Sequence, residues 1–172
     1  MANVDKPVGF YPLRHLTGGE IRASEYVLTT GQTVYKGDLL SIVNAGTVQA
    51  AAADDGLIVI GVAAEYETDS DSAGGKTLLV YDDPYIIFGV QMDDAGTAST
   101  SADRGETANH LAGSGSTLTK LSGHELDMSD IATGAQLKII GLVAAPDNVW
   151  GANADVAVLI NEHFYKAAVA GV

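Results

Sequence analysis

The stretch Gln136–Phe164, QLKIIGLVAAPDNVWGANADVAVLINEHF, decides the fold. It holds two apolar runs, Leu137–Ala145 and Val156–Ile160, separated by the turn-rich linker Pro146–Asp155. Each run is short and bounded by Gly, Pro, Asn or Asp, the signature of paired strands. Strand side chains alternate between faces. Val156, Val158 and Ile160 therefore point one way, and Asp155, Ala157, Leu159 and Asn161 the other. In the first run Ile140 and Leu142 oppose Leu137, Ile139 and Val143. One face of each strand must enter a core, yet the second face is also partly apolar. An isolated hairpin of this kind is marginal in water and needs further strands or another chain against it.

Outward from this hairpin the chain keeps the same character. Strands are expected at Glu25–Thr30, Leu39–Val43, Thr47–Ala50, Leu57–Ala63, Thr77–Tyr81 and Tyr85–Met92, with a short one at His124–Met128. LIVIGVA (57–63) is apolar throughout and reads as a strand covered on both sides. Gly89 within YIIFGVQM suggests a bend at a barrel corner. Asp82-Asp83-Pro84 breaks the last two long strands, because proline cannot serve a central ladder. Residues 65–76 form an acidic loop, and Asp93–Ser122 is polar and poor in apolar anchors. A short helix around Ala102–Leu111, capped by Ser101, is expected there, weakened by Gly105. The fold class is all-β: small β-barrel, β-tulip-like or sandwich modules, with long loops and an extended N-terminal arm. The arm covers residues 1–24 and the β-rich domain residues 25–172, divisible into subdomains at 25–95 and 96–172. The arm carries Phe10, Tyr11 and Leu13, which a free tail would not need, and it either crosses its own domain or reaches a neighbour.

Composition narrows the function. Hydrophobic residues make up 47% of the 172, enough for a core and against wholesale disorder. Nine Lys and Arg face 22 Asp and Glu, a net charge of −13, which disfavours binding to phosphate backbones. The absence of cysteine removes disulfides and thiolate chemistry together. The opening MANVDKPVGFYP lacks the apolar segment of a signal peptide, and no apolar run approaches the roughly 18 residues of a membrane span. A soluble chain with no nucleic-acid or membrane partner is expected.

Motifs that could carry chemistry fall short of their patterns. Gly74-Gly75-Lys76-Thr77 ends like a phosphate-binding loop, but the required glycine five places before Gly75 is Ser70. Gly113-Ser114-Gly115-Ser116-Thr117 is a flexible turn without the spacing of a nucleophile elbow. Asp69-Ser70-Asp71-Ser72, near Glu65 and Glu67, could chelate calcium but lacks the closing Glu, and reads as a solvated loop. His15, His110, His124 and His163 have no ligand partner at metal spacing and read as structural. Asp82-Asp83 and Asp93-Asp94 sit at turns, where Asp bonds its own backbone. No enzyme activity, cofactor or metal is expected.

The opening MANVDKPVGFYPLRHLTGG and the far end resemble small virion structural proteins of tailed bacteriophages. At the far end the resemblance rests on Leu121-Ser122-Gly123-His124-Glu125-Leu126-Asp127, then LKIIGLV, PDNVWGANA and a closing VLINEHF. It implies a capsid decoration (cement) protein, which binds the outer surface of the head through the major capsid protein. It also implies a homotrimer, assembled in the bacterial cytoplasm and resident on the virion. The expected partner-binding residues are Phe10, Tyr11 and Arg14 in the arm, Leu142 and Leu159 on the hairpin's second face, and Trp150 in its linker. Two alternatives remain: a virion receptor or glycan-binding module, and a small hydrolase whose site, including His124 or Asp127, forms at a trimer interface.

Overall fold

A computed structural model describes residues 3–43, 45–53, 58–70 and 74–166. In chain order the strands are β1 (Tyr11–His15), β2 (Ser24–Val27), β3 (Thr33–Val34), β4 (Leu39–Ile42), β5 (Val48–Ala50), β6 (Val59–Ala63) and β7 (Glu67–Thr68). They continue with β8 (Thr77–Tyr81), β9 (Ile86–Gln91), β10 (Thr107–Ala108), β11 (His110–Leu111), β12 (Glu125–Leu126), β13 (Leu137–Leu142) and β14 (Asp155–Ile160). The all-β expectation holds.

Two five-stranded antiparallel sheets carry the fold. Sheet A has the order β1-β9-β14-β13-β10, and sheet B the order β2-β8-β6-β4-β5. Two ribbons, β11-β12 and β3-β7, complete it. The quoted hairpin pairs as its alternation requires from Leu137 opposite Ile160 to Ile139 opposite Val158. A bulge between Ile139 and Gly141 then sets Leu142 opposite Val156 and turns it toward the core, which corrects the expected second-face position of Leu142. Sheet B curls until Leu28, just past β2, bridges Val48 on the opposite edge strand. The sheets are sandwich-like and do not close into a barrel, so the barrel form of the expectation is corrected.

Two apolar cores follow from this arrangement. The first lies under sheet A and includes Phe10, Leu39, Phe88, Val90, Leu126, Leu137, Ile139, Val156 and Val158. The second fills the curl of sheet B with Leu28, Val34, Leu40, Ile42, Val48, Leu78 and Val80. β6 supplies Val59 and Val62 to the first core and Ile60 and Ala63 to the second, and is therefore buried along its whole length. Its uniformly apolar sequence is the consequence of having two covered faces. The layers do not follow the two halves of the chain: sheet A combines β1 and β9 with β10, β13 and β14.

The helix expected at 102–111 is corrected. A single 3₁₀ turn, Ser101–Asp103, is capped by Thr100 rather than Ser101. The Gly105 N–H then bonds the Ile139 carbonyl at 2.8 Å, and the Ile139 N–H bonds the Glu106 carbonyl at 2.9 Å. Pairing with β13 thus takes the backbone groups that a helix would have used.

Candidate functional site

Sheet A has one face in the core and one turned outward. On β14, Val156, Val158 and Ile160 are buried while Asp155, Ala157 and Leu159 are half-buried. On β13, Leu137 and Ile139 are buried, Lys138 is exposed, and Ile140 and Leu142 are half-buried. The second apolar face read from the sequence is therefore real for Ile140, Ala157 and Leu159, and among the described residues no strand covers it fully.

The N-terminal segment covers the β9 part of that face. Tyr11 stands opposite Gly89 in the ladder, with its ring lying where a Cβ on Gly89 would go. Glycine is needed there to seat an aromatic ring, and not for the barrel corner the sequence suggested. The Lys6 N–H donates to Gln91 Oε1 at 2.7 Å, and Gln91 Nε2 donates to the carbonyls of Val4 and Asn153. Asn3 Nδ2 donates to the carbonyls of Val149 and Ala152. The segment lies along its own domain and ends as edge strand β1.

Beyond β9 the face stays open as a groove of about 410 Å³. Leu13, Arg14, Arg104, Ile140, Leu142 and Ala157 line it. Arg14 arrives from β1 next to a bulge that shifts the register between Pro12 and Arg14. Arg104 follows the 3₁₀ turn and crosses Gly141. A Cβ on Gly141 would stand 3.0 Å from Arg104 Nε and Nη2, and its φ of +152° favours glycine besides. Among the described residues neither guanidinium makes an ion pair or hydrogen bond.

The six residues expected to bind a partner are thus sorted. Arg14 and Leu142 line the groove, and Leu159 shares the outward face of β14 with Ala157. Tyr11 is spent on Gly89, and burial, followed by the nearby Asp155 charge, raises its hydroxyl pKa. Phe10 is a correction: at 2% exposure it is a core residue, its N–H bonded to the Gly37 carbonyl at 2.8 Å. Trp150 packs half-buried against the first core and does not join the groove. Arg104 was not singled out, although it is the sole Lys or Arg between Asp93 and Thr119.

The titratable groups that do converge are sealed between the layers. His110, His124 and Asp38 are 1%, 4% and 3% exposed. His124 Nδ1 accepts the Leu39 N–H at 3.2 Å, which places its ring hydrogen on Nε2, 3.6 Å from Asp38 Oδ1. Asp38 Oδ2 accepts the Tyr35 N–H at 2.8 Å. The His110 ring lies 5.0 Å from that of His124, with Nδ1 facing Gln136 Oε1 at 2.8 Å and Nε2 facing the Ala51 carbonyl at 3.2 Å. Burial, helped by His110, lowers the His124 pKa to about 3. Burial raises that of Asp38, against the pull of the Ser122 hydroxyl and the Tyr35 amide. The cluster ties the β11-β12 ribbon to sheet B.

His124 and Asp127, the residues of the hydrolase alternative, are engaged separately: Asp127 Oδ1 accepts from the Ser129 N–H and hydroxyl. Asp71 and Ser72 of the calcium reading lie outside the described residues. Asp69 is buried and not part of a solvated rim, and among the described residues no group of three or more acids or histidines could hold a metal ion. Comparison with protein-family models, with curated proteins and with solved structures gave no match.

Proposed function

We propose that this chain works by adhesion between protein surfaces, as a capsid decoration protein on the outside of a tailed-bacteriophage head. The observation that carries this reading is the open half of sheet A, where an apolar floor meets solvent beside two arginines that pair with no described residue. Sheet faces of this kind are normally covered by the chain or by a partner. The resemblance of both chain ends to virion structural proteins supplies the partner, the major capsid protein. A protein that binds only the assembled shell stabilises that state by its binding free energy, and many copies bridging neighbouring subunits add avidity. A homotrimer bridging adjacent capsid subunits suits this role.

Two features rank the alternatives lower. Trp150 packs half-buried against the first core, so only part of it is available to stack on a sugar. The buried histidines and Asp38 have no open access to a substrate. The deciding experiment incubates expanded heads with the purified protein, then images them and measures shell rupture on heating. Added density on the outer surface and a higher rupture temperature are expected. Bare shells, together with a monomer by light scattering, would defeat the proposal.

A further inference from the structure

We propose that the groove between Arg14 and Arg104 is a receptor for an extended protein segment that carries carboxylates on either side of an aliphatic residue. The inference rests on the adhesion reading and names the chemistry of the partner surface. It begins from segregation of charge. Acids outnumber bases 22 to 9 in this chain, so a guanidinium at its surface is rarely far from a carboxylate. Arg22 has one, Glu20, at 3.0 Å. Arg14 and Arg104 have none among the described residues, though both are exposed at one groove. Asp155, the acid on the outward face of β14, pairs with neither.

The floor between the two arginines is Ile140, Gly141 and Ala157, with Leu13 at the side and Leu142, which also packs against the first core, at the margin. Leu13 is 37% exposed. A guanidinium prefers a planar, bidentate carboxylate, and its worth rises where an apolar floor displaces water. The groove is open, which suits a chain segment more than an enclosed small ligand. A polyanion is disfavoured, because a body with net charge −13 repels a run of phosphates. A second copy of this chain would bring its own net charge of −13 to the groove, so the contacts of the proposed homotrimer are assigned to other surfaces. The complementary occupant is therefore a segment of a different protein, with local carboxylates and an aliphatic side chain between them.

The probe is an end-blocked peptide of four Glu-Leu repeats, with four Gln-Leu repeats as control, titrated into the full chain and followed by backbone amide NMR. Shifts should fall on residues 13–14, 104, 140–143 and 157, and weaken as salt is added. The Gln peptide should bind at least about tenfold more weakly, as should the Glu peptide to R14Q/R104Q. R14K/R104K keeps both charges, controls for folding, and should retain part of the affinity. Equal binding of the two peptides, shifts away from the groove, or full binding by R14Q/R104Q would overturn the inference. So would displacement by a short oligothymidylate, or self-association abolished by R14Q/R104Q. If the peptide result fails while decorated heads still form, the groove assignment falls and the adhesion reading stands. If the peptide binds as expected but heads stay bare, the reverse holds.

Discussion

Sheets A and B are both five-stranded and antiparallel, but they treat their second faces differently. Sheet B curls, so Leu28, Val34 and Val48 close over Ile60, Leu78 and Val80, and both β4 and β6 are buried throughout. Sheet A stays open. Residues 3–15 cover β9, which is also buried along its length, while β13 and β14 keep half-buried Ile140, Ala157 and Leu159 outside. An apolar residue on β4 or β6 contributes to the stability of the monomer whichever way it points, unlike Val27 on β2 and Leu79 on β8. On β14, and on β13 up to its bulge, only every second residue does so, and the rest are available for contact with another molecule.

The largest effect that tests this contrast is at Phe88, fully buried on the inward face of β9. Phe88→Ala should cost on the order of 3–5 kcal/mol in denaturant unfolding, and a loss below about 1 kcal/mol would mean the inner core is looser than its packing implies. Intermediate in size is a pH effect that separates inner from outer groups. Burial lowers the pKa values of His124 to about 3 and His163 to about 4, with Lys166 also acting on His163. Both are neutral in the folded chain but titrate near pH 6.5 when unfolded. Their contribution is complete above pH 6.5 and is lost as pH falls toward 4 and 3. Glu125 runs oppositely: burial, then Asp5, Asp93 and Asp94, raises its pKa to about 7, so its cost grows as pH rises from 4.5 to 7. Glu125→Gln should raise Tm at pH 8 and leave it unchanged at pH 4, and a uniform shift at both values would rule this linkage out. The smallest effect is at Leu159. Leu159→Ala should cost less than about 1.5 kcal/mol, below the range for a fully buried leucine, while weakening attachment to heads. A cost as large as that of Phe88→Ala would show that this face belongs to the monomer core.

Strand β14 was legible residue by residue, because alternation in ADVAVLIN leaves one set of apolar residues for each face and the structure buries Val156, Val158 and Ile160. On β13 the bulge at Gly141, which simple alternation does not register, moved Leu142 to the inner face. Thr77–Tyr81 was legible for the same reason. Phe10 was not, since a proline-bounded segment has no periodicity to say which way an aromatic side chain turns. The missed partner of 102–111 was strand β13, more than thirty residues away, and a local propensity cannot register a hydrogen bond to Ile139. Arg104 was hidden with it: an isolated base in a polar segment becomes informative only once Gly141 lies beneath it.

The strand order also constrains the timing of synthesis. Sheet B and the β3-β7 ribbon use residues 24 to 81 alone, so they can assemble while the ribosome is still translating. The middle strand of sheet A is the last one made, and β1 must wait beside β9 until Ile160 has emerged. Until then Phe10 and Phe88 have no finished layer to enter, and both stay unprotected while β10 to β13 are being made.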